Sequence, residues 1–372
     1  MSSEYVGILV NQSLYRRIPS GKTRHEKLTF YEEAGRQYDL RPCYFRLQDI
    51  HLSAGRVLAY VRSSSGYRLR WLPLPQVIHN RAIHQEAAAK RKLKRIRDRG
   101  IRLFNACNRY SKLLIHDILM TNPNLRPHLP GTEAASPHNL PWFMHHYDEL
   151  ILKPDNSSIG RGIMMMRKVD GEWRLHYPFG NGIRERSIAA DGKLPAVLVN
   201  KLAKPPYVLQ QRLPLATFRG RPFDLRISVQ KNDTGNWQVT GIAGKFAAPG
   251  KYVTNVAQGG TVLPLEILLQ EYPHLAGTDV RGQLEAFSLE AARTLESRLE
   301  GLADIGLDVG MTVHGYPVFI ECNCRDLRYS FQAGGMHQNW KASYANPIGY
   351  ARYLIDQAAA GSRRTRSYGE RS

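Results

Sequence analysis

The chain is 372 residues long, 42% hydrophobic and 23% charged, with a formal net charge of +20. It exceeds one typical domain and can bury a large core. With no apolar run of about 18 residues and no cleavable leader pattern at Met1–Val10, it is expected to be soluble and retained in the cytoplasm, which excludes membrane-span functions.

Tyr5–Val10 reads as an apolar strand, His25–Gln37 as a helix, and Pro42–Leu47 and Arg56–Ser63 as strands. Residues 85–99 then read as a basic helix built on Lys90, Arg91, Lys92, Lys94 and Arg95. Residues 1–130 hold 24 Lys plus Arg against 9 Asp plus Glu. Such a face attracts polyanions. No aromatic interleaving or recognition fold accompanies it, so a solvated basic face is the default and nucleic acid is not the expected partner. Alternating strands and helices predict a small α/β domain over residues 1–105.

Further on, Ser111–Leu119 is helical and Leu125–His138 is a Pro-rich loop. Glu149–Lys153, Ile163–Lys168 and Trp173–Tyr177 are strands, and Lys193–Lys204 has helical spacing, which together predict a lobe over 106–206. Tyr207–Leu213, Pro222–Lys231 and Trp237–Phe246 are alternating strands. Gly282–Gly301 is a helix with Leu284, Phe287, Ala291, Leu295 and Leu299 on one stripe. With strands at Gly306–Val313 and Tyr316–Asn323 and a last helix at Pro347–Ala360, these predict a second lobe over 207–361, followed by a basic flexible tail at 362–372. The fold class is α/β followed by α+β. Cys43, Cys107, Cys322 and Cys324 include one C-x-C without the second Cys or His pair that tetrahedral zinc requires, so reduced thiols are expected.

The richest chemical signal is the last strand pair. If His314-Gly315 forms a two-residue hairpin loop, Asp308 stands opposite Glu321, and Asn323 shares their face because side chains alternate with period two. Leu307, Val309 and Met311, with Val318 and Ile320, then face the other way into a core. Facing carboxylates repel unless a cation lies between them, and this oxygen set suits Mg²⁺, which leaves its other positions to water and phosphate. The bland alternative is a pair of solvated acids on an exposed face.

Two further segments carry chemistry. Lys153 ends a strand, and the loop after it contains Ser158, Gly160 and Gly162. Glycines let backbone N–H groups approach phosphate oxygens, although no G-K-[ST] follows and a plain hairpin turn reads equally well. In Arg221–Val229, Phe223, Leu225, Ile227 and Val229 share one face and Asp224, Arg226 and Ser228 the other. There the Arg226 fork can grip phosphate or simply pair with Asp224 at the surface. Lys245 and Asn255 add donors nearby in sequence.

Taken in order, these segments resemble the ATP-grasp superfamily and, within it, the YheC/YheD family of endospore coat-associated proteins. The resemblance runs from about Phe104 to Tyr353 and opens with Asn105 and Lys112. It implies an ATP-grasp fold with an N-terminal α/β domain, binding ATP and Mg²⁺ in the cleft between two α+β lobes. It also implies that Lys112 and Lys153 reach the phosphates and the adenine edge, while the loop bearing Ser158, Gly160 and Gly162 closes over the phosphates. Gln210, Gln211 and Leu213 would belong to the strand that reads adenine; Arg226, Lys245 and Asn255 would steady the transferring phosphoryl group; Asp308, Glu321 and Asn323 would ligate Mg²⁺.

Three positions depart from the superfamily pattern. Gln210 stands where many members carry Glu, Lys245 stands where Arg is expected and lacks its bidentate fork, and Asn323-Cys324-Arg325-Asp326 replaces Asn-x-x-Pro-Gly. The implied activity is ATP-dependent carboxylate–amine or peptide ligation through an acyl phosphate, in a spore-forming bacterium. Its substrates would be a carboxylate and an amine on a peptide or envelope precursor, with an acidic acceptor suiting the basic N-terminal domain. The alternative is a nucleotide-binding spore-coat component without turnover.

Overall fold

The computed structural model describes residues 4–24, 26–156, 162–180, 182–188, 193–203, 206–246 and 261–369, with 361–369 as backbone only. Three sheets follow one another along the chain. The first contains β1 (Glu4–Leu9), β2 (Leu40–Phe45), β3 (Ile50–His51), β4 (Arg56–Ser63), β5 (Gly66–Pro73), β6 (Val77–Asn80) and β7 (Arg102–Phe104), in the order β3-β4-β2-β1-β6-β7 with β5 on β4. The strands β2, β1, β6 and β7 are parallel, and parallel neighbours need crossovers. Helices Leu28–Gln37 and Ala87–Arg97 supply two of them. The second is the expected basic helix: it buries Leu93 and Ile96 and leaves Lys90, Arg91, Lys94 and Arg95 exposed. From β1 the chain goes first to one side, β2, and later to the other, β6, so the connection order reverses between β1 and β6. A crevice opens beyond the carboxyl ends of an open parallel sheet at such a point.

The second sheet is antiparallel throughout: β8 (Thr132–Ala134), β9 (Glu149–Pro154), β10 (Met164–Val169), β11 (Glu172–Phe179), β12 (Gly182–Ile188) and β13 (Tyr207–Gln211), ordered β12-β11-β10-β9-β13-β8. Thus β13, expected in the C-terminal lobe, pairs with β9 and β8 here, because a period-two pattern identifies a strand but not its sheet.

The third sheet contains β14 (Thr217–Phe218), β15 (Arg221–Lys231), β16 (Trp237–Phe246), β17 (Thr261–Pro264), β18 (Asp304–Met311) and β19 (Pro317–Asn323), ordered β17-β16-β15-β18-β19 with β14 on β15. Its Phe223, Leu225, Ile227 and Val229 face forms one core with helix Val280–Glu296, capped by Asp279, whose side chain accepts from Gly282 N at 2.8 Å. The whole expected stripe from Leu284 to Leu299 is buried there, each large apolar side chain contributing about 1.5–3 kcal/mol.

The last helix begins at His337, ten residues before the expected start, and its backbone continues to Gly369 rather than ending at residue 360. It runs through Pro347, which cannot donate to the carbonyl of Ser343. Gln230 Nε2 on β15 donates to that carbonyl instead, at 2.9 Å. The same helix packs Trp340 and Tyr344 edge-on against Phe30 and Tyr31 of helix Leu28–Gln37, so the first and third sheets share a core.

Asn105, after β7, joins them again. At φ 52° it is in the left-handed region, and its side chain accepts from Ala303 N and donates to the carbonyls of Asp304 (2.7 Å) and Cys324 (2.8 Å). None of the four cysteines is in a disulfide. No helix among the described residues is long and apolar enough to cross a membrane.

Candidate functional site

One row of charged side chains crosses four strands of the third sheet. With the apolar side chains of β15 in the core, Asp224, Arg226 and Ser228 point to the opposite face, and the register sets Asp224 beside Lys245 on β16 and Arg226 beside Asp308 on β18. Asp308 in turn is paired with Glu321 on β19. Lys245 Nζ lies 2.7 Å from Asp224 and 2.8 Å from Asp308, while Arg226 Nε lies 3.0 Å from Asp308. Asn323 Nδ2 donates to Asp308 at 3.3 Å. Asp224 and Arg226 are therefore buried members of cross-strand ion pairs and not a surface pair of one strand.

The hairpin that sets this row differs from the expected one. Thr312 N donates to Tyr316 O, so three residues form the loop, closed by Gly315 at φ 80°. A register shift beside Ile320 then adds a residue to β19, and the two offsets cancel: Val309 faces Phe319, yet Asp308 again faces Glu321. Phe319 accordingly joins the core that Val318 and Ile320 were expected to fill. Ile320 is half-buried, and its carbonyl accepts from Lys153 at 3.1 Å.

Electrostatics follow from this crowding. Burial alone would raise the Asp308 carboxyl, but Arg226 and Lys245 beside it hold it below the usual range. Burial would lower Lys245, and Asp224 and Asp308 more than offset that. Gly306, paired with Asn323, leaves the space the row needs: a Cβ there would fall 2.5 Å from Arg226 Nη1 and 2.6 Å from Asp326 Oδ1.

Lys112 and Lys153 reach the row from elsewhere. Helix Lys112–Met120 is capped by Ser111, whose hydroxyl donates to Asp155 Oδ1 at 3.0 Å, and the same oxygen accepts from Leu113 N at 3.2 Å. Asp155, following β9, so ties Lys112 to the strand of Lys153, and Lys112 Nζ stands 3.6 Å from Glu321 Oε1. Buried Lys153 donates to Gln210 Oε1 at 2.8 Å, and Gln210 Nε2 donates to Thr132 Oγ1 at 2.8 Å. Burial pushes Lys153 down to about 8, with Glu321 pulling it upward. Ile115, Val208, Phe319 and Ile320 join Lys112, Lys153, Gln210 and Glu321 as walls of a narrow cleft between the second and third sheets.

Eight of the expected residues thus gather: Lys112, Lys153, Gln210, Arg226, Lys245, Asp308, Glu321 and Asn323. Gln211 turns instead to the loop before β8, its Oε1 accepting from Gly131 N at 3.3 Å, and Leu213 lies beyond the end of β13. Gly162, at φ 76°, accepts through its carbonyl from Tyr207. Ser158, Gly160 and Asn255 lie outside the described residues. Asp155, Thr132 and Asp326 also belong to the network without having been anticipated. Asp326, on the irregular segment after β19, accepts from Ser228 Oγ at 2.7 Å and lies 3.6 Å from Arg226 Nη1.

The chain is 27% identical over 341 residues to the endospore coat-associated protein YheD of Bacillus subtilis (strain 168), covering 89% of this chain and 73% of that one. It is 20% identical over 245 residues to YheC of the same organism, covering 66% and 67%. Among solved structures it is similar to D-cycloserine synthetase DcsG (TM-score 0.52, 12% identity, 92% of this chain and 99% of that one). It is also similar to the ATP-grasp ligase PsnB complexed with minimal precursor (TM-score 0.50, 15% identity, 92% and 100%). At such identities the likeness is one of fold: this is an ATP-grasp fold. Residues 100–354 match the family model for YheC/D like ATP-grasp, and the chain belongs to that family.

Proposed function

We propose that this chain is an ATP-dependent ligase that activates a carboxylate as an acyl phosphate and joins it to an amine. The observation that carries the reading is the row from Lys245 to Glu321, buried at Lys245, Asp224 and Arg226 and half-buried at Asp308 and Glu321, met by Lys112 and Lys153 from the facing elements. The ATP-grasp fold implies a nucleotide, and the apolar cleft walls beside the Gln210 amide suit a flat heteroaromatic base. Lys112 and Lys153 would bind its phosphates, covered by the loop with Ser158, Gly160 and Gly162. Gln211 would end the strand that reads adenine, and Leu213 follows it.

Asp308, Glu321 and Asn323 fit Mg²⁺: two carboxylates and an amide oxygen are hard donors and leave positions open. When bound, the ion would neutralise charge on the transferring phosphoryl group. The protein's own part is positioning and charge. Arg226 and Lys245, already fixed by Asp308 and Asp224, are preorganised cations that need no rearrangement as negative charge develops, with Asn255 as a further donor.

The test is release of phosphate from ATP and Mg²⁺ in the presence of candidate acids and amines. Release that requires an acceptor and is lost in Asp308→Asn supports the ligase; absent release with intact nucleotide binding supports a second reading. That second reading is a nucleotide-binding component of a spore coat, in keeping with the name of its relatives. It is favoured by the pairing of Asp308 with Arg226 and Lys245, which balances the site's charge without any ion.

A further inference from the structure

We propose that Arg325 binds a carboxylate group of the acceptor, in the crevice beyond the carboxyl ends of β1 and β6; this rests on the ligase reading above. Arg325 follows Asn323 by two residues and reaches from the third sheet to the first. Its Nη1 donates to the carbonyl of Arg81 at 3.0 Å and to Asn11 Oδ1 at 3.4 Å. Asn11 follows β1 and Arg81 follows β6, so the guanidinium is held at the point where the strand connections reverse, the position at which open parallel sheets take ligands. Both contacts use one nitrogen. The Nε and Nη2 edge has no hydrogen-bond partner among the described residues, and that edge matches the two oxygens of a carboxylate.

The surroundings supply charge with no counterion for this residue. Arg328 pairs with Asp304 at 2.9 Å and Glu26 at 3.5 Å, and Arg81 pairs with the same two acids at 3.3 Å each. Three guanidiniums therefore share two carboxylates, and Arg325 is the one with no ion pair among the described residues. His79, beside Asp304, does not alter the balance, since burial lowers it to about 4 and leaves it neutral. An arginine that is anchored, half-buried and uncompensated is stabilised by an anion from outside the chain.

The test uses the full chain and follows the thermal unfolding midpoint against glutarate, dimethyl glutarate and sulfate, each with and without AMP-PNP and Mg²⁺. Glutarate is expected to raise the midpoint saturably and the ester to have no effect. Arg325→Met is expected to weaken glutarate by at least about tenfold, the worth of a charged hydrogen-bond pair, while AMP-PNP affinity stays within about twofold. If Arg325→Met does not fold, Arg325→Lys, which keeps the charge but lacks the Nε–Nη2 edge, reads the same loss. The proposal is overturned if glutarate leaves the wild type unmoved or acts equally on the variant. It is also overturned if sulfate binds through Arg325 as tightly as glutarate, or if AMP-PNP binding falls in parallel, which would give the residue to a phosphate. A glutarate response that depends on Arg325 in a protein that ignores AMP-PNP would support the carboxylate subsite while removing the nucleotide reading on which the ligase rests.

Discussion

Lys153 donates to the side-chain oxygen of Gln210 at 2.8 Å and, among the described residues, makes no ion pair. Burial therefore dominates and brings it to about 8, whereas in the unfolded chain it keeps an ordinary value of about 10.4. Below pH 8 both states hold the proton and the folded state carries the full penalty of a buried charge. Between about 8 and 10.4 the unfolded state binds more protons, so stability rises with pH across that window. Lys153→Met lacks this contribution. Relative to the variant, the wild type is expected to gain up to about 3 kcal/mol from pH 7.5 to pH 10.5 in urea unfolding; parallel pH profiles would refute the assignment. Because phosphate favours the charged form, AMP-PNP affinity should be flat below pH 8 and weaken above it.

Gln210→Glu tests the same contact from the other side. The single hydroxyl hydrogen of Thr132 goes to the carbonyl of Pro130 at 2.8 Å, so Thr132 Oγ1 acts as acceptor toward Gln210 Nε2. A carboxylate would set two acceptors face to face, a loss of about 1–3 kcal/mol. It would also pair with Lys153 and raise its pKa. The variant is expected to lose the break in nucleotide affinity near pH 8, because the new pair offsets the burial penalty of Lys153; a retained break would count against the Lys153 assignment.

The pairing of Asp308 with Glu321 was reached from side-chain alternation and a two-residue loop, and it holds because two departures from that loop offset each other. The turn itself was not legible: a three-residue loop and an extra residue at Ile320 cancel, and only Phe319, Val318 and Ile320 reveal the difference. The polar face of β15 was legible, but alternation does not say what lies across the strand, so the pairs of Arg226 with Asp308 and Asp224 with Lys245 needed the register. The strand β5 escaped notice because Arg68–Trp71 is exposed on both faces and carries no burial pattern, and β12 is exposed over most of its length for the same reason. Asp155 and Asp326 sit on irregular backbone, where no periodicity points. The start of the last helix was hidden by Pro347, whose missing hydrogen bond is compensated by a residue more than a hundred positions away.

Gly306→Ala addresses the row directly. The added methyl would overlap Arg226 Nη1 and Asp326 Oδ1, and both groups are buried with little room to move. Overpacking of this kind costs about 1–3 kcal/mol. The larger effect should be on function, since Arg226 must shift from Asp308: acceptor-dependent phosphate release is expected to fall by more than about tenfold with nucleotide affinity less affected. Wild-type turnover in this variant would show that Arg226 need not occupy its observed position.

Asn105 offers the sharpest test of how the first sheet is joined to the site. Its left-handed backbone suits Asn or Gly, and its amide uses both donor hydrogens on carbonyls, one of them that of Cys324, between Asn323 and Arg325. Asn105→Gly keeps the backbone but leaves the Ala303 N–H and two carbonyls without partners, a loss of about 2–4 kcal/mol. Asn105→Ala should be worse by about a further 1 kcal/mol, because it adds the steric cost of a Cβ at positive φ. Asn105→Asp tolerates the backbone and still accepts from Ala303, yet it turns a second carboxylate oxygen toward the carbonyls of Asp304 and Cys324. It is expected to be no more stable than the glycine variant. Guanidinium unfolding of the three proteins gives the order, and an aspartate variant as stable as the wild type would show that the amide donors do not hold the Cys324 segment in place.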